Sequence, residues 1–473
     1  MSNGASKMWS GRFREPLNHA FEQWQRSFPF DWRLFQTELN ASIAHARTIE
    51  AAGILTAEEA ERMCAGLRAI GNLTVTADEL RNPNAPFAAS AAQAEDVHHF
   101  VELELTREIG DLALKLHTGR SRNEQIATDM RLYVSDGIEV ICHGMRRWCL
   151  SLIKLAEGAA DAVMPSYTHL QRAEPVLVAH WLLAYVSMTE RDISRLRDCQ
   201  ARLSYSPLGS GAVAGATLAL DREIAARILY FKGPTLNSMD ATSDRDFMLE
   251  FTQALSVFGI HVSRFAEELT LFSTAEFGFL DLPEAFSTGS SAMPQKKNPD
   301  LTELLRGKSA RLIGAATSLS VLIKGLPLAY NKDLQEGQEQ VFEATETAIG
   351  IFNVLSNFTE ALKFRFDRMR TAATTGYLNA MAAATYLSNR GVPFRKAHEI
   401  IGNAVRLGLE SGRELNELTL EELRTLSSAF AEDFFAAITL EATLDCHDVV
   451  GGTARARVAE ALAAAKLKLG ENI

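Results

Sequence analysis

Residues 287–300 gather hydroxyls (Thr288, Ser290, Ser291), two adjacent ammonium groups (Lys296, Lys297) and the amide of Asn298 in a run with neither helical nor strand period. Asn298 suits a helix N-cap, Pro299 the first helical position, and Asp300 and Glu303 the first turn. The run therefore reads as a pliable loop that ends at a helix N-terminus. Such a place can hold an anion and can ease a proton off a hydroxyl.

Three further polar segments carry candidate groups. His117-Thr-Gly-Arg-Ser-Arg-Asn123 offers Arg122 and Asn123, Tyr167-Thr-His-Leu-Gln-Arg-Ala-Glu-Pro175 offers Thr168 and His169, and Leu326-Pro-Leu-Ala-Tyr-Asn-Lys-Asp-Leu-Gln335 offers Tyr330, Lys332 and Gln335. Thr242-Ser-Asp-Arg-Asp246 serves equally well as a helix cap. This inventory suits removal of a proton next to a carboxylate, followed by loss of a leaving group. The obstacle is the carbanion, whose charge spreads onto the carboxylate. Fixed donors there contribute about 3–4 kcal/mol each, and Lys296, Asn298 and the backbone amides of 289–291 fit that task. An imidazole such as that of His169 suits protonation of the leaving group, worth about 10²–10⁴-fold. No paired Cys/His spacing, H-E-x-x-H or P-loop is present, so no metal or cofactor is expected. Gly209-Ser-Gly-Ala-Val-Ala214 matches a relaxed dinucleotide pattern, but it follows a helical run and lacks a βαβ unit.

The elements that must position these loops are long helices. Apolar residues recur at three-, four- and seven-residue steps in five runs, the clearest being Phe251, Leu255, Phe258, Val262, Phe265, Leu269 and Phe272. The others centre on residues 126–155, 182–203, 301–326 and 341–366. We expect an all-α fold: an elongated central bundle of five long helices over 120–371, flanked by a mixed, mostly helical N-terminal domain (1–119) and a small helical C-terminal domain (372–473). In the first, 73–76 is the best strand-like fragment and 85–94 reads as a linker. Long helices with this much flank imply side-by-side association of copies. The formal net charge of −11 argues against nucleic acid or an anionic membrane as partner. The longest uncharged stretches, 203–220 and 371–389, are too rich in Gly, Pro, Thr or Asn for membrane helices. Five scattered cysteines and an N-terminus without an apolar core point to reduced thiols and the cytoplasm.

Gly289-Ser-Ser-Ala-Met-Pro-Gln-Lys-Lys-Asn-Pro299 resembles the signature of the fumarase/aspartase superfamily, and Gln295 to Asp300 most resembles its argininosuccinate lyase family. The other polar segments follow in family order. The resemblance implies elimination of fumarate from argininosuccinate, releasing arginine, without a cofactor. It implies Ser290 and His169 as the proton-transferring pair, in either direction, Glu303 orienting His169, and Lys296 and Asn298 on the carboxylate. It also implies substrate contacts at Ser27, Asn123, Thr168, Tyr330 and Gln335, and a homotetramer whose sites are shared between subunits. Three positions depart from the family pattern. A lysine that contacts a substrate carboxylate is Gln338 here, Ser27 is followed by Phe-Pro-Phe-Asp31, and residues 380–384 read Ala-Met-Ala-Ala-Ala. Two other readings are therefore a sister lyase acting on another substituted succinate and a non-catalytic, crystallin-like homologue.

Overall fold

A computed structural model describes residues 15–470, so residues 1–14 and the last three residues lie outside the described part. The chain is overwhelmingly helical, and the five expected long helices are present as Arg122–Ala159, Val178–Leu203, Asp246–Ser273, Asp300–Ile323 and Glu336–Ala361. The strands are short: β1 (Val163–Thr168), β2 (Gln171–Leu177), β3 (Leu280–Asp281), β4 (Thr288–Gly289), β5 (Lys297–Asn298) and β6 (Lys363–Phe364). They pair antiparallel as β1–β2, β3–β6 and β4–β5. No described helix is long and apolar enough to cross a membrane.

Two compact units form. The first holds residues up to Ile138, Asp198–Phe251 and Ala315–Glu343; the second holds Glu139–Arg197, Thr252–Gly314 and residues from Ala344 on.

In the second unit the helical stripes become a packed core. Leu255, Phe258, Val262, Phe265, Leu269 and Phe272 are all buried, as the three–four spacing requires of one helix face. Phe258 stacks on Phe352 at 4.9 Å, and Trp148 meets Phe265 edge-on at 5.4 Å. The Trp148 indole donates to Thr359 Oγ1 at 3.1 Å, so its polar atom is satisfied inside the core. A Cβ on Gly144 would stand 2.6 Å from the Phe352 ring, so glycine is what lets these helices approach. The C-terminal helices Ala380–Asn389, Phe394–Ser411 and Leu420–Leu426 close around Leu387, Ile401, Leu423 and Phe434.

In the first unit, helices Phe35–Ala51, Ala57–Ile70 and Val97–Ile109 pack around Phe100, which contacts Phe28, Phe35 and Phe87. Two expectations fail here. Residues 85–94 are no open linker: Ala88–Gln93 is helical, and Phe87 and Ala94 are buried. Residues 73–76 form no strand, because no neighbouring strand offers them a ladder.

One buried group makes this unit acid-sensitive. His45 lies 2% exposed with Nε2 3.0 Å from the Thr118 carbonyl. Burial foremost, then the Arg120 charge, push its pKa from 6.5 down to about 3. The unfolded chain therefore binds this proton first. The stabilising contribution is complete above pH 6.5 and is lost as pH falls toward 3, by up to about 1.4 kcal/mol per pH unit. Compared with His45→Gln, the wild type should lose about 2 kcal/mol of urea-unfolding stability between pH 7 and pH 5. Parallel pH profiles for the two proteins would contradict this.

Candidate functional site

The stretch 287–300 folds as a miniature hairpin rather than a free loop. Thr288 pairs with Asn298 and Gly289 with Lys297. Asp300 latches the base, its Oδ2 accepting from Thr288 N at 2.8 Å and Thr288 Oγ1 at 2.7 Å. Lys297 reaches out to Asp281 at 3.0 Å. The fourth long helix starts at Asp300, not at Pro299, because the Asn298 backbone is committed to the β4 pairing.

Within this frame Ser290 is half-buried while residues 291–297 are exposed. Its Oγ accepts from two backbone amides, Ala292 at 3.2 Å and Met293 at 3.1 Å. Hydrogen bonds to the oxygen favour its deprotonated form, the arrangement a serine needs to act as a base. Lys296 is exposed on the same loop, and Lys296 N donates to Met293 O at 3.0 Å.

The segment 167–175, expected as a loop, is instead the end of a strand hairpin, β1–β2. Its turn is His169–Leu170, with φ of 55° and 58°. Two left-handed residues in succession make the turn type whose twist matches a hairpin, at about 1–2 kcal/mol for each non-glycine residue. The imidazole and Thr168 are thereby presented at an exposed tip. The hairpin itself is held firmly. Ser166 fills a bulge, donating to Glu174 O at 2.7 Å. The Tyr167 ring packs on Phe272, Phe277 and Phe279, and Arg172 donates to Ala372 O and Thr375 Oγ1. A cavity of about 930 Å³ opens beside the tip, lined in part by Tyr167, Leu170, Arg172, Phe277 and Arg368.

Glu303 is half-exposed and 4.0 Å from Arg306. Among the described residues no hydrogen bond joins it to His169. Ser290, Lys296, Asn298, Glu303, Thr168 and His169 all belong to the second unit.

The remaining candidates belong to the first unit. Ser121 and Glu124 form a capping arrangement at the start of the first long helix: Asn123 N donates to Ser121 Oγ, and Ser121 N to Glu124 Oε1. Glu124 also accepts from Gly211 N at 2.7 Å, and Asn123 Nδ2 donates to Ala212 O at 3.1 Å. These contacts dock the glycine-rich 209–216 turn on the helix start. Gly211 sits at φ +62°, and a Cβ there would stand 2.7 Å from Gly215 O. The turn has no dinucleotide-binding strand before it. A cavity of about 750 Å³ lies alongside, lined in part by His117, Arg120, Ser121, Arg122 and Gly211. Burial first, then Arg120 and Arg122, bring the His117 pKa down to about 4, so the cavity wall offers it as a neutral imidazole near pH 7.

Arg122 is paired with Asp96, Ser27 is buried with its amide donating to Glu95 O, and Gln335 Nε2 donates to Gln25 O. Lys332 is exposed. Burial lifts the Tyr330 pKa to about 12, although the nearby Arg245 charge opposes it. Gln338 is 2% exposed, and its Oε1 finds no partner among the described residues.

Sequence reasoning missed a buried ionic cluster in this unit. His98 Nδ1 is 2.7 Å from Glu38 Oε2 and 3.7 Å from Asp129, while Ser42 and Gln125 donate to Glu38. Burial works against ionisation of Glu38, yet the His98 charge and hydrogen bond, with Arg120, hold it below the usual range; burial and Glu38 push Asp129 up. The ligand atoms of Glu38, His98 and Asp129 lie within 4.8 Å of one another. Glu38 and His98 are nevertheless occupied by each other, and Arg120 stands 3.8 Å from Glu38. Glu38, His98 and Arg120 thus form an ion-pair network, while both Asp129 carboxylate oxygens are buried without a hydrogen-bond partner among the described residues. The Glu38–His98 contact spans 60 residues of sequence, so no local spacing announces it.

A family model described as lyase matches residues 11–314, and one described as argininosuccinate lyase C-terminal matches residues 377–445. A relative from Acidobacterium capsulatum named argininosuccinate lyase is 60% identical over 98% of this chain and 95% of its own. One of the same name from Koribacter versatilis is 54% identical, over 98% and 97%. Among solved structures, an EDDS lyase variant with bound fumarate matches with a TM-score of 0.80 at 25% identity, covering 93% of this chain and 86% of its own. A class II fumarase from Schistosoma mansoni shares the fold, with a TM-score of 0.73 at 14% identity over 86% and 90%.

Proposed function

The chain belongs to the argininosuccinate lyase family, and on that premise we propose that it splits argininosuccinate into fumarate and arginine by elimination. The observation that carries this reading is the Ser290 hydroxyl, held on a latched loop with two backbone amides aimed at its oxygen. As alkoxide, Ser290 takes the proton from the carbon next to the succinyl carboxylate. The charge passes onto that carboxylate, where Lys296 and Asn298 hold it. His169 gives a proton to the departing nitrogen. Thr168, Asn123, Arg122, Ser27, Tyr330, Lys332 and Gln335 bind the rest of the substrate.

We further propose a homotetramer whose sites draw groups from several copies. Exposed Leu304, Gly307, Gly314 and Val321 recur along the fourth long helix at heptad-related steps. Small and apolar residues at such spacing suit packing against another helix. A second copy is also what could bring a carboxylate such as Glu303 to an imidazole it does not reach within its own chain. All five cysteines are free, four of them buried, which supports a cytoplasmic setting.

The test is fumarate release, followed by ultraviolet absorbance, from argininosuccinate, adenylosuccinate, aspartate and malate. Release from argininosuccinate alone is expected. A buried Gln338 in place of the family's lysine favours one other reading, a sister lyase for a different substituted succinate, and release from another of the four would establish it. No release from any would leave a structural homologue. Sedimentation should find four chains per particle.

The latch makes a separate prediction. Asp300→Ala removes both hydrogen bonds to Thr288 and frees the base of the Ser290 loop. Turnover should fall roughly tenfold or more, with unchanged circular dichroism, and Asp300→Asn, which can still accept from Thr288, should restore part of it. Wild-type turnover in the alanine variant would show that the latch does not set the loop.

A further inference from the structure

The second unit contains a cavity of about 140 Å³ whose lining includes no residue of the Ser290 loop or of the His169–Leu170 turn. Its apolar wall includes Ala373, Leu378, Phe435 and Ile438, and its five polar side chains include Asn379 and Thr443. Neither is satisfied. Asn379 Nδ2 donates to Ile438 O at 3.2 Å, but its Oδ1 is buried without a partner. Thr443 is 1% exposed, and its Oγ1 has no partner either. Buried helical threonines elsewhere in the chain, such as Thr48, Thr128, Thr189 and Thr359, turn the hydroxyl back to the carbonyl four residues earlier. Thr443 leaves that option unused. A buried polar group left unmet costs about 1–3 kcal/mol, and two around one cavity point to an occupant that meets both.

We propose that this cavity is a binding site for a small neutral carboxamide. The Asn379 carbonyl oxygen can only accept, so the ligand must bring a donor, which an amide N–H supplies. The Thr443 hydroxyl has a proton to give, which a ligand carbonyl can accept. A primary amide carries both, side by side. No charged side chain lines the cavity, so a carboxylate or guanidinium would be buried unpaired. The volume is close to that of an apolar cavity known to take benzene, which limits the ligand to about six non-hydrogen atoms.

The probe is isobutyramide, which has that size, titrated into the full-length protein by ligand-observed NMR and soaked into crystals. The amide should occupy the cavity with its nitrogen toward Asn379 and its oxygen toward Thr443. Thr443→Val, which keeps the shape and removes the hydroxyl, should weaken binding roughly tenfold. On the unaltered protein, methyl isopropyl ketone, of equal size but lacking the N–H, should bind at least about tenfold more weakly. Water alone in the cavity at saturating isobutyramide would overturn the proposal. So would equal binding of amide and ketone, or isobutyrate binding as tightly as the amide.

Discussion

Ser290→Ala is expected to lower kcat for fumarate release from argininosuccinate by about 10²–10⁴-fold, with a much smaller change in KM. The direction of that split follows from where the oxygen sits. Ser290 Oγ is held by the Ala292 and Met293 amides, and the role proposed for it, in proton transfer and not in uniform grip on the substrate, places the loss in kcat. Removing the oxygen leaves those amides without their acceptor, but they lie on an exposed segment where water replaces it at little cost. The loop frame survives, because β4–β5 pairing and the Asp300 latch do not involve the Ser290 side chain. A kcat within tenfold of wild type would remove Ser290 from the proton-transfer step. Unchanged circular dichroism and sedimentation separate that result from a folding defect.

The same residues show what could be read in the chain and what could not. The long helices were legible because their period is local. A buried stripe such as Leu255, Phe258, Val262, Phe265, Leu269 and Phe272 repeats every turn and needs no knowledge of its partner. The β1–β2 hairpin was not. Its strands are interrupted by Pro165 and Pro175, its tip is polar, and what fixes it is remote: the Tyr167 ring on Phe272, Phe277 and Phe279, and Arg172 on Ala372 and Thr375. The 85–94 segment misled for the same reason. Its small residues look like a linker until Phe87 is seen against Phe100.

For the candidate site, the run from Gly289 to Asp300 carries the chemistry in its residue types. The Thr288–Asp300 latch across the loop base had no local signature, since Asp300 equally suits a helix first turn. The Glu38–His98–Asp129 cluster and the orphaned atoms around the 140 Å³ cavity depend on contacts between distant parts of the chain.

His169→Asn should likewise reduce kcat by about 10²–10⁴-fold, and asparagine is the informative replacement. Both turn residues hold positive φ, and asparagine adopts that conformation more readily than histidine or alanine. The variant therefore keeps the hairpin tip and removes only the imidazole; alanine would add backbone strain to that loss. The tip is exposed, so free imidazole in the buffer can reach the place the side chain left. Added imidazole should restore part of the lost turnover in the asparagine variant and leave Ser290→Ala unaffected, because only the former lacks a proton donor at the leaving nitrogen. Activity within a few-fold of wild type, without added imidazole, would show that the leaving group takes its proton from elsewhere and that the turn serves only to shape the hairpin.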